Sequence, residues 1–182
     1  EPRRGGSHLI SLEVGAPVFG SEVHFTKFQL ETRWYLDWLS PTVLALSGRL
    51  GLAAPFGGTP ALDIDDRFKA GGITTVRGYP EDRVGPADAA GNPVGGNARA
   101  LLNAEWRFPI WRWLGGALFV DAGTVTPEAG DLVRAKVKTG VGGGLRIATP
   151  IGPIRMDVGY ALNTLPTRED RWQLTFGIGH PF

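Results

Sequence analysis

The chain contains no cysteine among its 182 residues. That excludes a disulfide framework and thiolate metal sites, and leaves the compartment open. It also lacks a charge excess: 19 Lys and Arg stand against 18 Asp and Glu, a formal net charge of +1. No polyanion is implied, so no nucleic-acid partner is expected. No apolar run reaches the roughly 18 residues of a spanning helix. The opening EPRRGGSHL has two arginines but no apolar signal-peptide core, so an export signal is either removed or upstream. Histidine is scarce: His8, His24 and His180 fall on different strands and ends. A hydrolase needs a serine and an acid converging on such a residue, and the spacing suggests none. Asp63, Asp65 and Asp66 lack the glycine and distal glutamate of a calcium loop. No enzymatic activity, cofactor or metal is therefore expected.

What is abundant is glycine, at 27 residues, together with six Trp and nine Phe. That aromatic content is too high for a disordered chain. The dominant pattern is a period of two, the signature of strands with one apolar face. Near the end, Trp172, Leu174, Phe176, Ile178 and Phe182 oppose Arg171, Gln173, Thr175, Gly177 and Gly179. Upstream, Ile154, Met156, Val158, Tyr160 and Leu162 oppose Arg155, Asp157, Gly159 and Asn163. Val141, Leu145 and Ile147 oppose Gly140, Gly142, Gly144 and Arg146. Leu118, Val120 and Ala122 oppose Phe119, Asp121 and Gly123; Leu102, Ala104, Trp106 and Phe108 oppose Asn103, Glu105 and Arg107. Three earlier segments, around residues 10–15, 27–38 and 44–52, split the same way.

This amounts to about eight strands, many near the roughly 9–11 residues of a tilted membrane-spanning strand. Alternation alone would also suit a soluble sandwich. Three features favour a membrane barrel: strand length, short connections alternating with long ones, and aromatics at strand ends. The short connections are Leu39-Ser40-Pro41, 110–113 and 151–153; the long ones are 126–134, 164–170 and a strand-free interval over 55–96. The aromatics are Trp34, Tyr35, Trp38, Trp106, Trp111, Trp113, Trp172 and Phe182. The expectation is one all-β domain over 1–182, an antiparallel transmembrane β-barrel whose polar face lines the lumen. An even strand count puts both termini on the side of the short turns.

The interval 55–96 is too long for an ordinary connection and is expected to be functional. Its centre reads Gly71-Gly72-Ile73-Thr74-Thr75-Val76-Arg77-Gly78-Tyr79. Gly71, Gly72 and Gly78 suit a tight or positive-φ backbone beside Arg77. Glu105 and Asp121 lie on the polar faces of consecutive strands, and a guanidinium presents a fork suited to two carboxylates. GVGGG over 140–144 lacks the helix and Lys-Ser/Thr element of a phosphate loop. Small residues there instead make room for the loop.

The VRGY segment, Val76-Arg77-Gly78-Tyr79, resembles the sixth extracellular loop of the BamA and TamA outer-membrane protein assembly superfamily. The motifs that follow keep that family's order: Val94-Gly95-Gly96-Asn97, then Ala104-Glu105-Trp106, then Phe119-Val120-Asp121-Ala122-Gly123. Gly144-Leu145-Arg146 and the run Thr149-Pro150-Ile151-Gly152-Pro153-Ile154-Arg155-Met156-Asp157 come next. The terminal strand, with Trp172, Leu174, Phe176, Ile178 and Phe182, is similar to a barrel assembly signal.

The resemblance implies a sixteen-stranded barrel preceded by periplasmic POTRA domains, of which this chain would be the last eight strands. It implies that Arg77 pairs with Glu105 and Asp121 and pins an inward-folded loop. It also implies a bacterial outer-membrane location with periplasmic termini, outer-membrane lipid as surroundings, and nascent outer-membrane or secreted proteins as partners. The function implied is assembly, insertion or translocation through strand templating at a lateral seam; the alternative is a passive pore or structural eight-stranded barrel. Eight strands enclose a lumen that side chains nearly fill. The chain is therefore a segment of a larger barrel, shares a wall with a second chain, or closes alone with its loop outside.

Overall fold

In the computed structural model, residues 3–16, 24–37, 39–150, 152–163 and 171–179 are described. Trp38, Phe182 and the connection 164–170 lie outside them. The fold is a single antiparallel sheet of eight strands in simple sequential order. The strands are β1 (Gly5–Gly15), β2 (Phe25–Leu36), β3 (Val43–Pro55), β4 (Ala98–Trp111), β5 (Leu114–Thr126), β6 (Lys138–Ile147), β7 (Ile154–Ala161) and β8 (Trp172–Ile178). Among the described residues β1 and β8 do not pair with each other, so each carries a free edge.

Every strand separates an apolar outer face from a polar or small inner face, because successive side chains alternate across the sheet. The burial runs opposite to that of a water-soluble protein. Trp172, Leu174, Phe176 and Ile178 of β8 are 63%, 57%, 66% and 68% exposed. Leu102, Leu118, Val120, Val158 and Trp106 are likewise exposed, while Arg107, Glu105, Asp121, Arg146, Arg155 and Asp157 are buried. An apolar band facing outward and charges facing inward is the distribution that a hydrocarbon surround stabilises. Tyr35 departs from the expected aromatic girdle. Its neighbour Trp34 is exposed, whereas Tyr35 points inward, with the Arg107 guanidinium 5.8 Å from its ring centre.

The connections β2–β3, β4–β5 and β6–β7 are short and fall at one end of the sheet. The longer ones fall at the other end; that between β5 and β6 holds a 3-10 helix, Ala129–Arg134, which the sequence pattern does not signal. The interval 56–97 leaves β3 at this end and folds back onto the concave, polar face. Within it the pairing is limited to two isolated bridges, Phe68 with Gly96 and Ala87 with Pro93. It is nonetheless packed: Ala70, Val76, Tyr79 and Val84 form a buried cluster with Leu101, Val125 and Ala161 of the wall. A second cluster joins Leu62 and Phe68 to Phe25 and Ala53.

Candidate functional site

The register of the sheet places the polar side chains before it orients them. Asn103 of β4 lies opposite Asp121 of β5, which lies opposite Gly140 of β6. One row along, Glu105 faces Phe119, then Gly142, then Gly159 of β7. In the next row, Arg107 faces Ala117, then Gly144, then Asp157. Carboxylates and arginines from β4, β5 and β7 thus surround a patch of β6 that has no side chains.

The loop fills that patch. A Cβ on Gly140 would collide with the Arg77 carbonyl, and one on Gly159 would stand 2.5 Å from the Gly78 nitrogen. Gly140 of β6 and Gly159 of β7 thus make room for the loop, whereas Gly142 and Gly144, expected to do the same, are crowded by Phe119, Val158, Met156 and Asp157 of the wall itself. The requirement is mutual at Gly78: its φ is +97°, and a Cβ there would lie 2.8 Å from the Tyr160 carbonyl carbon. Only glycine satisfies both the dihedral and the close approach. Gly71 and Gly72 also have positive φ, +117° and +85°. Their turn is closed by the Thr75 hydroxyl, which donates to the Gly71 carbonyl at 2.6 Å. Val76 is fully buried, close to Gly123 and Leu101.

Arg77 is 2% exposed and makes contacts on every side. Its Nη1 donates to Glu105 Oε2 at 2.5 Å. Its Nε and Nη2 donate to the two oxygens of Asp121, and its backbone N–H donates to Asp121 Oδ2 at 3.1 Å. The guanidinium lies 3.6 Å from the centre of the Phe119 ring, a cation–π stack. Burial disfavours the charged guanidinium, but the hydrogen bonds and charge of Asp121, followed by those of Glu105, outweigh it and hold its pKa above the ordinary value. Tyr79 is buried too, and its hydroxyl lies 3.2 Å from Asn163 Oδ1 and 3.3 Å from the Thr139 carbonyl.

Of the three charged residues singled out from sequence, Arg77 therefore touches both Glu105 and Asp121. The cluster is larger than that reading. Arg146 donates to Asp157 Oδ1 at 2.5 Å and to Glu105 Oε2 at 3.1 Å. Arg107 Nε donates to Glu105 Oε1 at 2.8 Å. Asn103 donates to Asp121 Oδ1 at 2.8 Å and to the Thr75 carbonyl at 2.6 Å. The signal for these residues was present, since each lies on the polar face of its strand. What joins them to Arg77 is cross-strand register. On β8, the apolar residues of the terminal motif face outward, away from this cluster.

The arrangement is a clamp: one loop arginine held by carboxylates from separate strands, in a region closed to solvent.

Comparison with known proteins gives a consistent picture. The family model of the Omp85 superfamily domain matches residues 1–182. The chain is 26% identical, over 97% of its length, to the outer membrane protein assembly factor BamA of Neisseria meningitidis, of which it covers 26%. It is 37% identical, over 53% of its length, to the Sorting and assembly machinery component 50 homolog of Xenopus tropicalis, of which it covers 20%. The crystal structure of BamA from Haemophilus ducreyi lacking POTRA domains 1-3 superposes with a TM-score of 0.77 at 22% identity. That match covers 96% of this chain and 38% of the other, a likeness of fold. The chain spans about a quarter of the length of the BamA relative from Neisseria.

Proposed function

The chain belongs to the Omp85 superfamily, and on that premise we propose that it is part of the wall of an outer-membrane barrel that assembles or inserts other β-barrel proteins. The observation that carries this reading is a loop tied by Arg77 to the lumen face of an eight-stranded antiparallel sheet with an apolar outer face. An unpaired strand edge is costly in lipid, because its N–H and C=O groups find no water there. The same edge can template an incoming strand by main-chain hydrogen bonding. In this reading β8 supplies the template, and Arg77, Glu105 and Asp121 pin the loop while the wall is at rest. The work is done by strands and not by catalytic side chains.

The short turns face the periplasm and the interval 56–97 starts from the extracellular side, so both chain termini are periplasmic. The setting is the bacterial outer membrane, with lipid against the apolar band. The partners are nascent outer-membrane or secreted proteins. The remaining wall comes from further strands of the same protein or from a second chain.

Reconstitution of the full-length protein in lipid vesicles tests this. A urea-denatured outer-membrane barrel protein is added, and its folding is followed by the heat-dependent shift of its gel mobility. Folding faster than in empty vesicles is expected. If ions pass but folding is not accelerated, the protein is a passive pore and the assembly reading is wrong.

A further inference from the structure

The buried charges of the inner face are unequally shared between loop and wall. The wall contributes three buried arginines, Arg107, Arg146 and Arg155, and three buried carboxylates, Glu105, Asp121 and Asp157. With every group charged, these six deeply buried charges balance one another. Arg77, from the loop, is the surplus cation.

The surplus leaves a mark on β7. Arg155 is 3% exposed, yet its Nε and Nη1 find no acceptor among the described residues. Two residues along the same strand face, Asp157 Oδ2 receives no hydrogen bond. Arg77 Nη1 stands 3.7 Å from that oxygen, beyond hydrogen-bonding reach. An unbonded donor and a carboxylate oxygen held only by the longer ion pair to Arg77 thus lie two residues apart on one strand face. Arg155 also lies directly opposite Arg146, a like-charge pair of the kind that destabilises a sheet. Asp157, Arg146, Arg77 and Glu105 are all within its electrostatic reach.

The loop occupies the ground around both. Arg77 flanks Asp157, and Ile73 flanks Arg155: a Cβ built on Gly177 of β8 would lie 2.9 Å from Ile73 Cδ1 and 2.8 Å from Arg155 Nε.

We propose that Arg155 is an exchange cation, held off Asp157 while the loop is docked and closing onto it when Arg77 withdraws. Withdrawal of Arg77 leaves Glu105 with Arg107 and Arg146 but Asp121 with Asn103 alone, and removing one partner of a buried pair is strongly destabilising. With Arg155 closed onto Asp157, the six deeply buried charges of the wall balance without Arg77. Docking is thereby a competition between two arginines for one set of acids, and the loop can leave without unfolding the sheet. This rests on the reading above, in which the loop is pinned only while the wall is at rest.

The test is a double-mutant cycle on the full-length protein in lipid vesicles, without substrate, so its outcome does not depend on whether the protein assembles others. Loop exposure is read by limited proteinase K digestion, which does not require arginine, with cleavage in 56–97 mapped by mass. Wall stability is read by the temperature at which the compact gel form is lost. R155Q removes the competitor, and loop cleavage is expected to slow about fivefold or more. R155K keeps the charge and is expected to leave cleavage near the parent rate. R77A frees the loop with little change in wall stability. R77A with R155Q leaves the acids in excess, and wall stability falls by more than the two single losses together. The proposal is overturned if R155Q speeds cleavage or leaves it unchanged, if R155K protects the loop as R155Q does, or if the double variant is additive. Failure of R155Q to fold while Arg77 is present overturns it as well.

Discussion

Arg77 and Asp121 meet as a two-point fork, with Nε donating to Oδ2 at 2.7 Å and Nη2 to Oδ1 at 2.9 Å. The third nitrogen, Nη1, is thereby aimed at Glu105, so one planar group serves two strands. A lysine ammonium is a point charge and cannot reproduce that geometry. R77K is expected to loosen the loop while keeping the charge, at a cost of ~1–3 kcal/mol in docking. Proteinase K digestion should show cleavage in 56–97 intermediate between the parent and R77A. Parent-like protection in R77K would mean that charge alone holds the loop.

Gly140 of β6 makes a steric prediction. A methyl group at position 140 would occupy the place of the Arg77 carbonyl. G140A is therefore expected to displace the loop by overpacking, at ~1–3 kcal/mol. G130A, in the β5–β6 connection, is the control, since a Cβ there meets nothing within 4 Å. Equal loop protection in both variants would contradict the close packing of loop and wall.

Glu81 carries a pH dependence. Burial, and secondarily the charge of Asp82, raise its pKa above the ordinary glutamate value. The docked loop therefore binds the Glu81 proton more tightly than the free loop does. That contribution is complete below the ordinary glutamate pKa of about 4.3 and is lost as pH rises through the raised value. Above that window the carboxylate is an uncompensated cost. E81Q is expected to protect the loop at pH 7 and to lose its advantage over the parent under acid conditions. An advantage that persists unchanged at acid pH would point to a cause other than ionisation.

The outer face makes an independent prediction about the surroundings. Val120 is 50% exposed on the apolar side of β5. If that side meets hydrocarbon, V120R costs up to ~2–4 kcal/mol at the bilayer midplane. V120A loses only part of a side chain, at ~1 kcal/mol. Urea titration of folding into vesicles separates the two. Similar midpoints for V120R and V120A would mean that Val120 faces water.

Period two was legible because each strand presents a mostly apolar face outward, with exceptions such as Leu101, Phe119 and Val125, which turn inward against the loop. The pairing of Arg77 with Glu105 and Asp121 was legible for a narrower reason: both acids sit on polar faces of consecutive strands, and the VRGY segment carries a family resemblance. Arg146 and Asp157 were visible as polar-face residues but could not be joined to the same cluster. Their meeting depends on which residues share a row, and rows are set by turn lengths and register, not by alternation. Tyr79 shows the same limit, since its bond to Asn163 spans 84 positions of sequence. Tyr35 shows a different one: aromatic character suggested a membrane girdle, while the parity of β2 turned the ring inward.

The loop also has a mechanical consequence. Phe68 fits against Gly51 of β3, Arg77 is tied to β4 and β5, Tyr79 reaches Thr139 and Asn163, and Ile73 touches down near Gly177 of β8. A segment fastened at both flanks of a curved sheet is a chord across an arc. It resists flattening and tightening alike, so its docking fixes the radius of the wall. Its release frees the sheet to change curvature without breaking a single strand pair.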